Sequence, residues 1–370
     1  MGAQKDQTPI RILVAGGAYA GISFITNFLD LCSGRPPRSS PEQHQPSPEA
    51  LKGVNVDIHL VDERDGYFHL IGSPLAFASP GYAEKIWQRF VDIPAPQHPA
   101  VRISQASLEH IDTNQRVARI KDKNSDAISE HAYDYFVAAT GVRRVWPVVP
   151  QELTRKRYLK ETADHAQSIR NATQGVVVIG GGAVGVEMAA EMKVVEPSIN
   201  VTLVHSRDQL LSAEPLPNEV KQMSLDCLRK AGVEVILGKG RVTSISTTEG
   251  DDGKPLQKLT LGDGSQLTAS HVISAISQQV PSTTYLPKSC LDENFLVKID
   301  NRLQFLPNEP YNEYHYATGD ICKCSGIKRC GAAMAMGVRA ADNIHQPTSR
   351  RRNSADSLAP SPSHDCVGMW

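Results

Sequence analysis

Two stretches of the sequence, one near its start and one in its middle, decide the predicted fold. Residues 10–21 read IRILVAGGAYAG, and residues 175–187 read GVVVIGGGAVGVE. Each is an apolar run that ends in glycines and leads into a helical stretch, and a second strand follows at residues 54–61 and 201–204. This order of strand, glycine turn, helix and strand is typical of a dinucleotide-binding unit. The sequence therefore predicts an α/β protein with two Rossmann-like dinucleotide-binding domains, the second inserted in the first.

Composition and charge exclude several other classes of protein. The 370 residues include 39 Lys and Arg and 40 Asp and Glu, and a net charge of −1 argues against nucleic acid as a partner. The seven cysteines include no C-x-x-C pair, so we expect no metal site, no disulfide scaffold and no redox-active dithiol. No window reaches the ~18 apolar residues that would span a bilayer. We expect a cytoplasmic protein without a transmembrane segment.

Two segments rich in proline, serine and polar residues are unsuited to a packed core. We expect residues 33–53 to form a flexible insertion and residues 347–370 to form a disordered tail. A helix expected at about 331–344 is rich in small residues, which suggests close packing on a flat surface. The predicted domain bounds are 8–145 with 300–346 for the first domain and 146–299 for the second.

The first glycine motif departs at one position from the usual G-x-G-x-x-G. Gly16, Gly17 and Gly21 are present, but Ala18 stands where the second glycine of that pattern lets the backbone approach a pyrophosphate. Alanine is the smallest replacement, so the motif is weakened and not abolished. Asp62 ends the following strand, where an acid would accept hydrogen bonds from an adenosine ribose.

The second glycine motif is complete, with Gly180, Gly182 and Gly185 at its three key positions. The strand after it ends in His205 and not in an acid, and Arg207 follows two residues later. A cation in this place favours NADPH, because Arg207 and His205 would pair with the 2′-phosphate. Because the acidic Asp208 directly follows Arg207, NADH stays open as the alternative to NADPH.

Taken together, five motifs in order resemble the FAD-dependent pyridine nucleotide-disulfide oxidoreductase superfamily. Within it, the chain is similar to the short homologues of apoptosis-inducing factor (AMID-like) and to type II NADH dehydrogenases. The resemblance covers about residues 10 to 344. Its motifs are GGAYAG at 16–21, VDERD at 61–65, AATG at 138–141, GGGAVGVE at 180–187 and ATGD at 317–320.

The resemblance implies FAD across the first unit and NADH or NADPH across the second. The expected FAD-binding residues are Gly16, Gly17, Ala18 and Gly21 at the pyrophosphate, Asp62 at the ribose, Thr140 and Gly141 near the adenine half, Asp320 at the ribityl or pyrophosphate oxygens, and Lys328 near the flavin pyrimidine. The expected NAD(P)H-binding residues are Gly180, Gly182, Gly185, His205, Arg207 and Glu187, the last near the nicotinamide carboxamide. A solvent-facing helical acid is the other interpretation of Glu187.

The chain also departs from the family pattern. Residues 68–77 lack the arginine that family members often carry after the second strand, and Ser277 stands where the family usually has a glycine. The last helix lacks the glutamines that type II dehydrogenases use for quinone. Cys322 and Cys324 closely follow Asp320, but we interpret this C-x-C as incidental.

The function implied is hydride transfer from NAD(P)H through flavin N5 to a quinone-like or other small organic acceptor. One alternative is a tailoring oxidoreductase that acts on an aromatic secondary metabolite. Another is a redox sensor or pro-apoptotic signalling flavoprotein with little turnover, as in apoptosis-inducing factor. A third is a nucleotide-binding protein that has lost its flavin. The sequence ends soon after the last helix, so we expect a monomer or weak homodimer, and peripheral membrane contact is left open.

Overall fold

The structure is a computed structural model that describes residues 8–38, 55–144, 146, 149–250, 253–276, 279–324 and 328–353. These residues form two compact units. The first unit contains the residues up to Tyr67, Arg89–Arg143 and those from Val280 onward, and the second contains Phe68–Gln88 and Arg144–Gln279.

The chain alternates strands and helices along most of its described length. The strands are β1 (Ile10–Ala15), β2 (Val56–Asp62), β3 (Gly66–Phe68), β4 (Trp87–Arg89), β5 (Val101–Asp112), β6 (Val117–Asp122), β7 (Ile128–Ala132), β8 (Tyr135–Ala138), β9 (Val142–Arg144), β10 (Val176–Ile179), β11 (Val201–His205), β12 (Glu234–Leu237), β13 (Val242–Glu249), β14 (Pro255–Leu261), β15 (Gln266–Ala269), β16 (His271–Ser274), β17 (Gln279–Pro281) and β18 (His315–Ala317). The helices are α1 (Tyr19–Cys32), α2 (Ser73–Ala78), α3 (Pro80–Ile86), α4 (Arg155–Arg170), α5 (Ala183–Val195), α6 (Asn218–Lys230) and α7 (Cys330–Asn353). Short 3₁₀ turns lie at Leu70–Gly72, Phe90–Asp92, Lys288–Cys290, Asn312–Tyr314 and Gly319–Ile321.

The first unit is built on a seven-stranded sheet in the order β18-β8-β1-β2-β5-β6-β7. Strands β18 to β5 are parallel, and β5, β6 and β7 form an antiparallel meander. Alternate side chains of β1 enter different cores: Ile12 and Val14 pack with the helices, and Leu13 and Ala15 pack on the opposite face. Because both faces are covered, residues 12–15 of β1 are apolar without alternation.

The second unit repeats this arrangement on a smaller scale. Its parallel sheet has the order β12-β11-β10-β16, and β13, β14 and β15 form a separate antiparallel sheet. In β10, Val176 and Val178 face the larger core, whereas Val177 and Ile179 face a second cluster that includes Leu259. The predicted class, an α/β protein with two Rossmann-like units, is confirmed.

The small residues of α7 serve a helix contact and not a flat surface. A Cβ on Gly337 would overlap the carbonyl oxygen of Ala20 in α1, and Ser23 Oγ donates a hydrogen bond to the Met334 carbonyl oxygen at 2.8 Å. Ala340 and Ala341 are completely buried. Small side chains therefore let α7 lie close against α1, and the expectation of a flat partner was wrong.

The compact units divide at other residues than those predicted. Residues 68–88 pack in the second unit, because Phe68 and Trp87 form an aromatic cluster with Tyr158 of α4. Residues 280–299 belong to the first unit.

The two polar segments are described only in part. Residues 347–353 continue α7 where a tail was predicted, and residues 39–54 and 354–370 lie outside the described residues.

A buried charge anchors the chain where it leaves α1. Asp30 lies in the last turn of α1 with 3% of its surface exposed, and it accepts hydrogen bonds from Arg35 (2.6 Å) and Arg38 (2.6 Å). Burial alone would raise the pKa of Asp30, but the hydrogen bonds and charges of Arg38 and Arg35 outweigh it and lower the pKa. A carboxylate at a helix C-terminus is unfavourable, so the two arginines are needed to hold it there.

Replacing Asp30 with Asn should lower the free energy of unfolding by about 1–3 kcal/mol, because two guanidinium groups lose a charged acceptor. A lowered pKa in the folded state stabilises the fold above the unfolded pKa of about 4, and this stabilisation is lost as the pH falls through the folded value. Urea unfolding at pH 7 and pH 3 should therefore show a larger difference between wild type and Asp30→Asn at pH 7.

The exposed pair of Arg89 and Asp92 provides the matched control, since both side chains are about half exposed. Asp92→Asn should change the unfolding free energy by less than about 1 kcal/mol. Equal losses for the two variants would contradict a special role for Asp30.

Candidate nucleotide-binding sites

The first glycine turn joins β1 to α1 with no room for side chains. Gly16 has φ +96°, and its N–H donates to the Val61 carbonyl oxygen at 2.8 Å. A Cβ on Gly16 would overlap the carbonyl of Ala139, and a Cβ on Gly21 would overlap the carbonyl of Gly16. Only glycine meets both demands, so α1 begins directly against the sheet edge.

Asp62 ties the end of β2 to this turn. Its Oδ2 accepts the N–H of Gly17 at 2.6 Å, and its Oδ1 accepts the N–H of Arg64 at 2.8 Å. Burial raises the pKa of Asp62, against the lowering effects of the Arg64 charge and of both N–H donors. Its neighbour Glu63 is ion-paired with Arg143. Of these two adjacent acids, Asp62 is the one bonded to the glycine turn, and its predicted contact with an adenosine ribose remains a prediction.

The N-terminus of α1 is suited to an anion. Ala18 precedes the helix, and its carbonyl oxygen accepts the N–H of Ile22 at 3.0 Å. Among the described residues, no side chain caps this helix end, and its first turn contains no acid. The positive end of the helix dipole therefore faces the turn, as a pyrophosphate requires. Ala18 has φ −92°, so alanine adopts this position without strain.

Thr140 and Gly141 follow β8 and contact a later part of the chain. Thr140 Oγ1 donates to the Ser282 carbonyl oxygen at 2.7 Å and lies 3.0 Å from the Tyr285 hydroxyl. The Gly141 carbonyl oxygen accepts the N–H of Ser282 at 3.0 Å. The Thr140 hydroxyl is thus already engaged within the protein, and the predicted contact of both residues with an adenine remains a prediction.

Asp320 and Lys328 meet at the turn after β18. The Lys328 ammonium donates to the backbone carbonyl oxygens of Asp320 and Cys322, the second at 3.3 Å. Within the described chain, the Asp320 carboxylate makes no hydrogen bond or ion pair, so it is available to a ligand hydroxyl. Lys328 instead fixes the turn that carries Asp320, and its predicted position near a flavin pyrimidine remains a prediction.

The second glycine turn repeats the geometry of the first in the other unit. Gly180 has φ +117°, and its N–H donates to the Val204 carbonyl oxygen at 2.9 Å. A Cβ on Gly180 would lie 2.8 Å from the Ala275 carbonyl oxygen, and a Cβ on Gly185 would overlap the carbonyl of Gly180. By contrast, a Cβ on Gly182 would meet nothing within 4 Å. The open space at Gly182, at the start of α5, fits the close approach of a pyrophosphate.

His205 occupies in this unit the position that Asp62 holds in the first. Its Nδ1 accepts the N–H of Gly181 at 3.1 Å, and its Nε2 lies 3.0 Å from Ser212 Oγ. Because a backbone N–H only donates, the proton of neutral His205 is on Nε2. Burial and then the charge of Arg207 lower the pKa of His205, against a hydrogen bond with the Gln209 backbone. The His205 ring at the strand end is therefore uncharged at neutral pH.

The side chains of Arg207 and Asp208, which follow β11, contact different parts of the chain. Arg207 is exposed, and its Nη1 lies 3.4 Å from Ser212 Oγ, next to His205. The Asp208 carboxylate covers the backbone of Gly238 instead, since it would overlap a Cβ placed there. Arg207, and not Asp208, is therefore linked to the glycine turn, through Ser212 and His205. Ser212 was not predicted, because no sequence motif connects it with the turn.

Glu187 is exposed on the second turn of α5. Partial burial and then the charge of Glu191, four residues on, raise its pKa. Both a contact with the nicotinamide and a solvent-facing acid agree with this position, so its role remains a prediction. Ser277, the other departure noted in this part of the chain, lies outside the described residues.

Aromatic residues around the first turn were also missed. The Phe90 ring covers Gly17, where it would overlap any Cβ. Tyr19 and Tyr67 pack edge to face with ring centroids 5.7 Å apart. Phe90 follows the excursion of the chain into the second unit, so its sequence position carries no signal of this contact.

Two glycines of the second motif predict losses of different size when they are replaced by alanine. Gly185→Ala should lower the free energy of unfolding by about 1–3 kcal/mol, because the new methyl group overlaps the Gly180 carbonyl. Gly182→Ala is the matched control and should cost less than about 1 kcal/mol, which is the cost of a poorer helix cap. Urea unfolding of both variants tests this difference, and equal stability of the two would contradict the geometry of the turn.

Comparison with known proteins identifies a family and similar proteins. The family model described as pyridine nucleotide-disulphide oxidoreductase matches residues 49–337. The oxidoreductase OXR1 of Ajellomyces capsulatus is 46% identical over 342 residues, which cover 91% of this chain and 74% of that protein. Ferroptosis suppressor protein 1 of Mus musculus is 26% identical over 345 residues, which cover 92% of this chain and 81% of that protein.

Solved structures share the fold at low sequence identity. The reduced Bacillus anthracis CoADR-RHD has a TM-score of 0.69 at 19% identity, and the match covers 92% of this chain and 57% of that one. Putidaredoxin reductase in its covalent complex with putidaredoxin has a TM-score of 0.67 at 21% identity, covering 92% and 76%. No helix among the described residues is long and apolar enough to cross a membrane.

The family inferred from the five motifs is thus confirmed, and so are the two cofactors expected from it. The chain belongs to the pyridine nucleotide-disulphide oxidoreductase family, whose members bind FAD and NAD(P)H, and it is an NAD(P)H-dependent flavin oxidoreductase.

Proposed function

We propose that this oxidoreductase passes a hydride from NADPH, or less readily NADH, through FAD to a quinone-like or other small organic acceptor. One observation carries the cofactor assignment: the same hydrogen-bonded glycine turn occurs twice, closed by Asp62 in one unit and by neutral His205 in the other. A carboxylate suits the two hydroxyl groups of a ribose. The uncharged His205 ring does not repel the 2′-phosphate of NADPH, and Arg207 beside it provides a positive charge.

In this proposal the first turn holds FAD. The N–H groups at the start of α1 after Gly17 donate to the pyrophosphate, while Asp62, which holds the Gly17 N–H, accepts from the adenosine ribose. The Asp320 carboxylate accepts from hydroxyl groups of the ribityl chain. When bound, FAD supplies N5 as the acceptor of the hydride. The protein orients FAD and provides the charges around it, and Asp62 and Asp320 hold FAD in position.

The second turn holds the nicotinamide nucleotide. Gly182 leaves space for the pyrophosphate at the start of α5, and Glu187 on the same helix orients the carboxamide. Arg207 pairs with the 2′-phosphate of NADPH, and Ser212 holds Arg207 and His205 together.

The acceptor is inferred by resemblance to type II NADH dehydrogenases and by elimination. No C-x-x-C pair is present in the sequence to reduce a disulfide, so electrons go to a small molecule. A quinone accepts these electrons without a protein thiol.

We also propose that the protein is cytoplasmic and that it is a monomer or weak dimer. Gel filtration of the full chain tests the oligomeric state directly.

An absorbance spectrum of the purified protein tests the proposal first. We expect a flavin spectrum that is bleached by NADPH under anaerobic conditions and restored by a soluble quinone over many turnovers. Bleaching without restoration by quinones or aromatic acceptors would favour a redox sensor. Turnover with aromatic compounds alone would favour a tailoring enzyme. A colourless protein that FAD does not reconstitute would overturn the proposed function.

Arg207→Ala tests the preference for NADPH. Loss of a charge-assisted hydrogen bond to the 2′-phosphate, worth about 1.5–3 kcal/mol, should raise the Kd for NADPH about 10- to 100-fold and leave the Kd for NADH nearly unchanged. Fluorescence titration of each nucleotide measures both constants.

Arg229 provides a control of the same charge, because it lies in the last turn of α6 in the same unit. Arg229→Ala should leave both dissociation constants unchanged. An equal loss of NADPH and NADH affinity in Arg207→Ala would contradict a contact with the 2′-phosphate.

A further inference from the structure

Ser212 lies in the loop after β11, which is held against the second glycine turn. The N–H of Leu211 donates to the Gly181 carbonyl oxygen at 2.7 Å. Leu211 has φ +51°, a left-handed conformation that is uncommon for a residue with a Cβ. The side chains of Leu210 and Leu211 are buried in the core of the second unit. This packing and the hydrogen bond to the turn therefore hold the backbone that carries Ser212.

Two donors occupy the oxygen of the Ser212 hydroxyl. His205 Nδ1 accepts the Gly181 N–H at 3.1 Å, so Nε2 of the neutral ring carries the proton and donates to Ser212 Oγ at 3.0 Å. Arg207 Nη1, which can only donate, lies 3.4 Å from the same oxygen. A hydroxyl oxygen has two lone pairs and one proton. Both lone pairs are therefore engaged, and neither His205 nor Arg207 can accept the proton.

The Ser212 hydroxyl proton is available to a ligand. Within the part of the chain that the structure describes, it has no hydrogen-bond acceptor. Ser212 is partly exposed and Arg207 is exposed, whereas the Asp208 carboxylate lies against Gly238. The acceptor nitrogen of His205 is already taken by the glycine turn. The side chains of His205, Arg207 and Ser212 therefore offer hydrogen-bond donors to a ligand and no acceptor.

We propose that Ser212 determines nucleotide specificity directly, by donating its hydroxyl proton to the 2′-phosphate of NADPH. This inference rests on the proposed binding of NADPH at this turn and deepens it, since Ser212 becomes a ligand contact in addition to holding Arg207 and His205. The oxygens of an ionised phosphate accept hydrogen bonds, and a bond to a charged acceptor is about twice as strong as one between neutral groups.

The 2′-hydroxyl of NADH fits the same group of donors less well. It carries a proton of its own, and the side chains of His205, Arg207 and Ser212 provide no acceptor for that proton. Leaving a donor without a partner costs binding free energy. The discrimination between the two nucleotides therefore depends on the direction of the hydrogen bonds as well as on the charge of Arg207.

The oxidised nucleotides test this contact, because NADP⁺ and NAD⁺ differ only at the 2′ position and neither delivers a hydride. Isothermal titration calorimetry of the full-length protein measures the Kd of each. We expect Ser212→Ala to raise the Kd for NADP⁺ about tenfold and the Kd for NAD⁺ less than about twofold. Retained affinity for NAD⁺ shows that the glycine turn is intact. Ser212→Thr keeps a hydroxyl and should stay within about threefold of the wild-type protein for NADP⁺.

Ser224 provides the matched control in the same unit. It is exposed on α6, where its hydroxyl donates to the Val220 carbonyl oxygen at 2.9 Å. Ser224→Ala should leave both dissociation constants unchanged.

A double variant separates direct contact from positioning of Arg207. If Ser212 only holds Arg207, Ser212→Ala has no further effect once Arg207→Ala is present. Direct donation predicts a further loss of NADP⁺ affinity of about fivefold or more in that background.

The inference is overturned if Ser212→Ala leaves the Kd for NADP⁺ unchanged, weakens both nucleotides equally, or has no effect in the Arg207→Ala background. Equal affinity of the wild-type protein for NADP⁺ and NAD⁺ would overturn the proposed preference for NADPH together with this inference. Tighter binding of NADP⁺ that Ser212→Ala does not change would overturn this inference alone.

Discussion

The hydrogen bond from a glycine amide to the side chain at the end of the next parallel strand is the interaction on which both nucleotide sites depend. Gly17 donates it to Asp62, and Gly181 donates it to His205. It fixes the turn against the sheet edge, directly before a helix whose first turn has no side-chain cap. The turn must pass so close to the neighbouring backbone that Gly16 and Gly180 cannot carry a Cβ. The proposed anion site at each turn is therefore formed largely by backbone, because the turn has no room for side chains.

The identity of the accepting side chain gives the two units different electrostatics. Asp62 brings a carboxylate whose pKa is raised by burial, and the donors around it oppose that rise. Ribose hydroxyl groups would add further donors and stabilise the charge. His205 accepts the same hydrogen bond only while it is neutral, because a protonated ring has no acceptor. Arg207 both lowers the pKa of His205 and provides the cation at this strand end.

The packing behind the sites follows from sheets that are covered on both faces. Strands β1 and β10 send alternate apolar side chains into two cores each, so neither strand has a polar face. In the first unit the layer behind the sheet contains two helices, and Gly337 lets α7 lie against α1. This close contact explains why α7 is rich in small residues. The same unit also buries charge, as at Asp30, where two arginines compensate the carboxylate.

The sequence by itself determined the two β-α-β units, their order and their glycine turns, because these depend on short-range patterns: apolar runs, glycines without Cβ atoms and a strand end with a particular side chain. It also singled out Asp62, His205 and Arg207, since their positions are counted from those patterns. Only the tertiary structure decided the contacts between residues far apart in the chain. It packed residues 68–88 with α4 in the second unit, placed the Phe90 ring over Gly17 and turned Lys328 to backbone carbonyls. Such contacts depend on which apolar surfaces and charges meet after the chain has folded, and no local pattern encodes that choice.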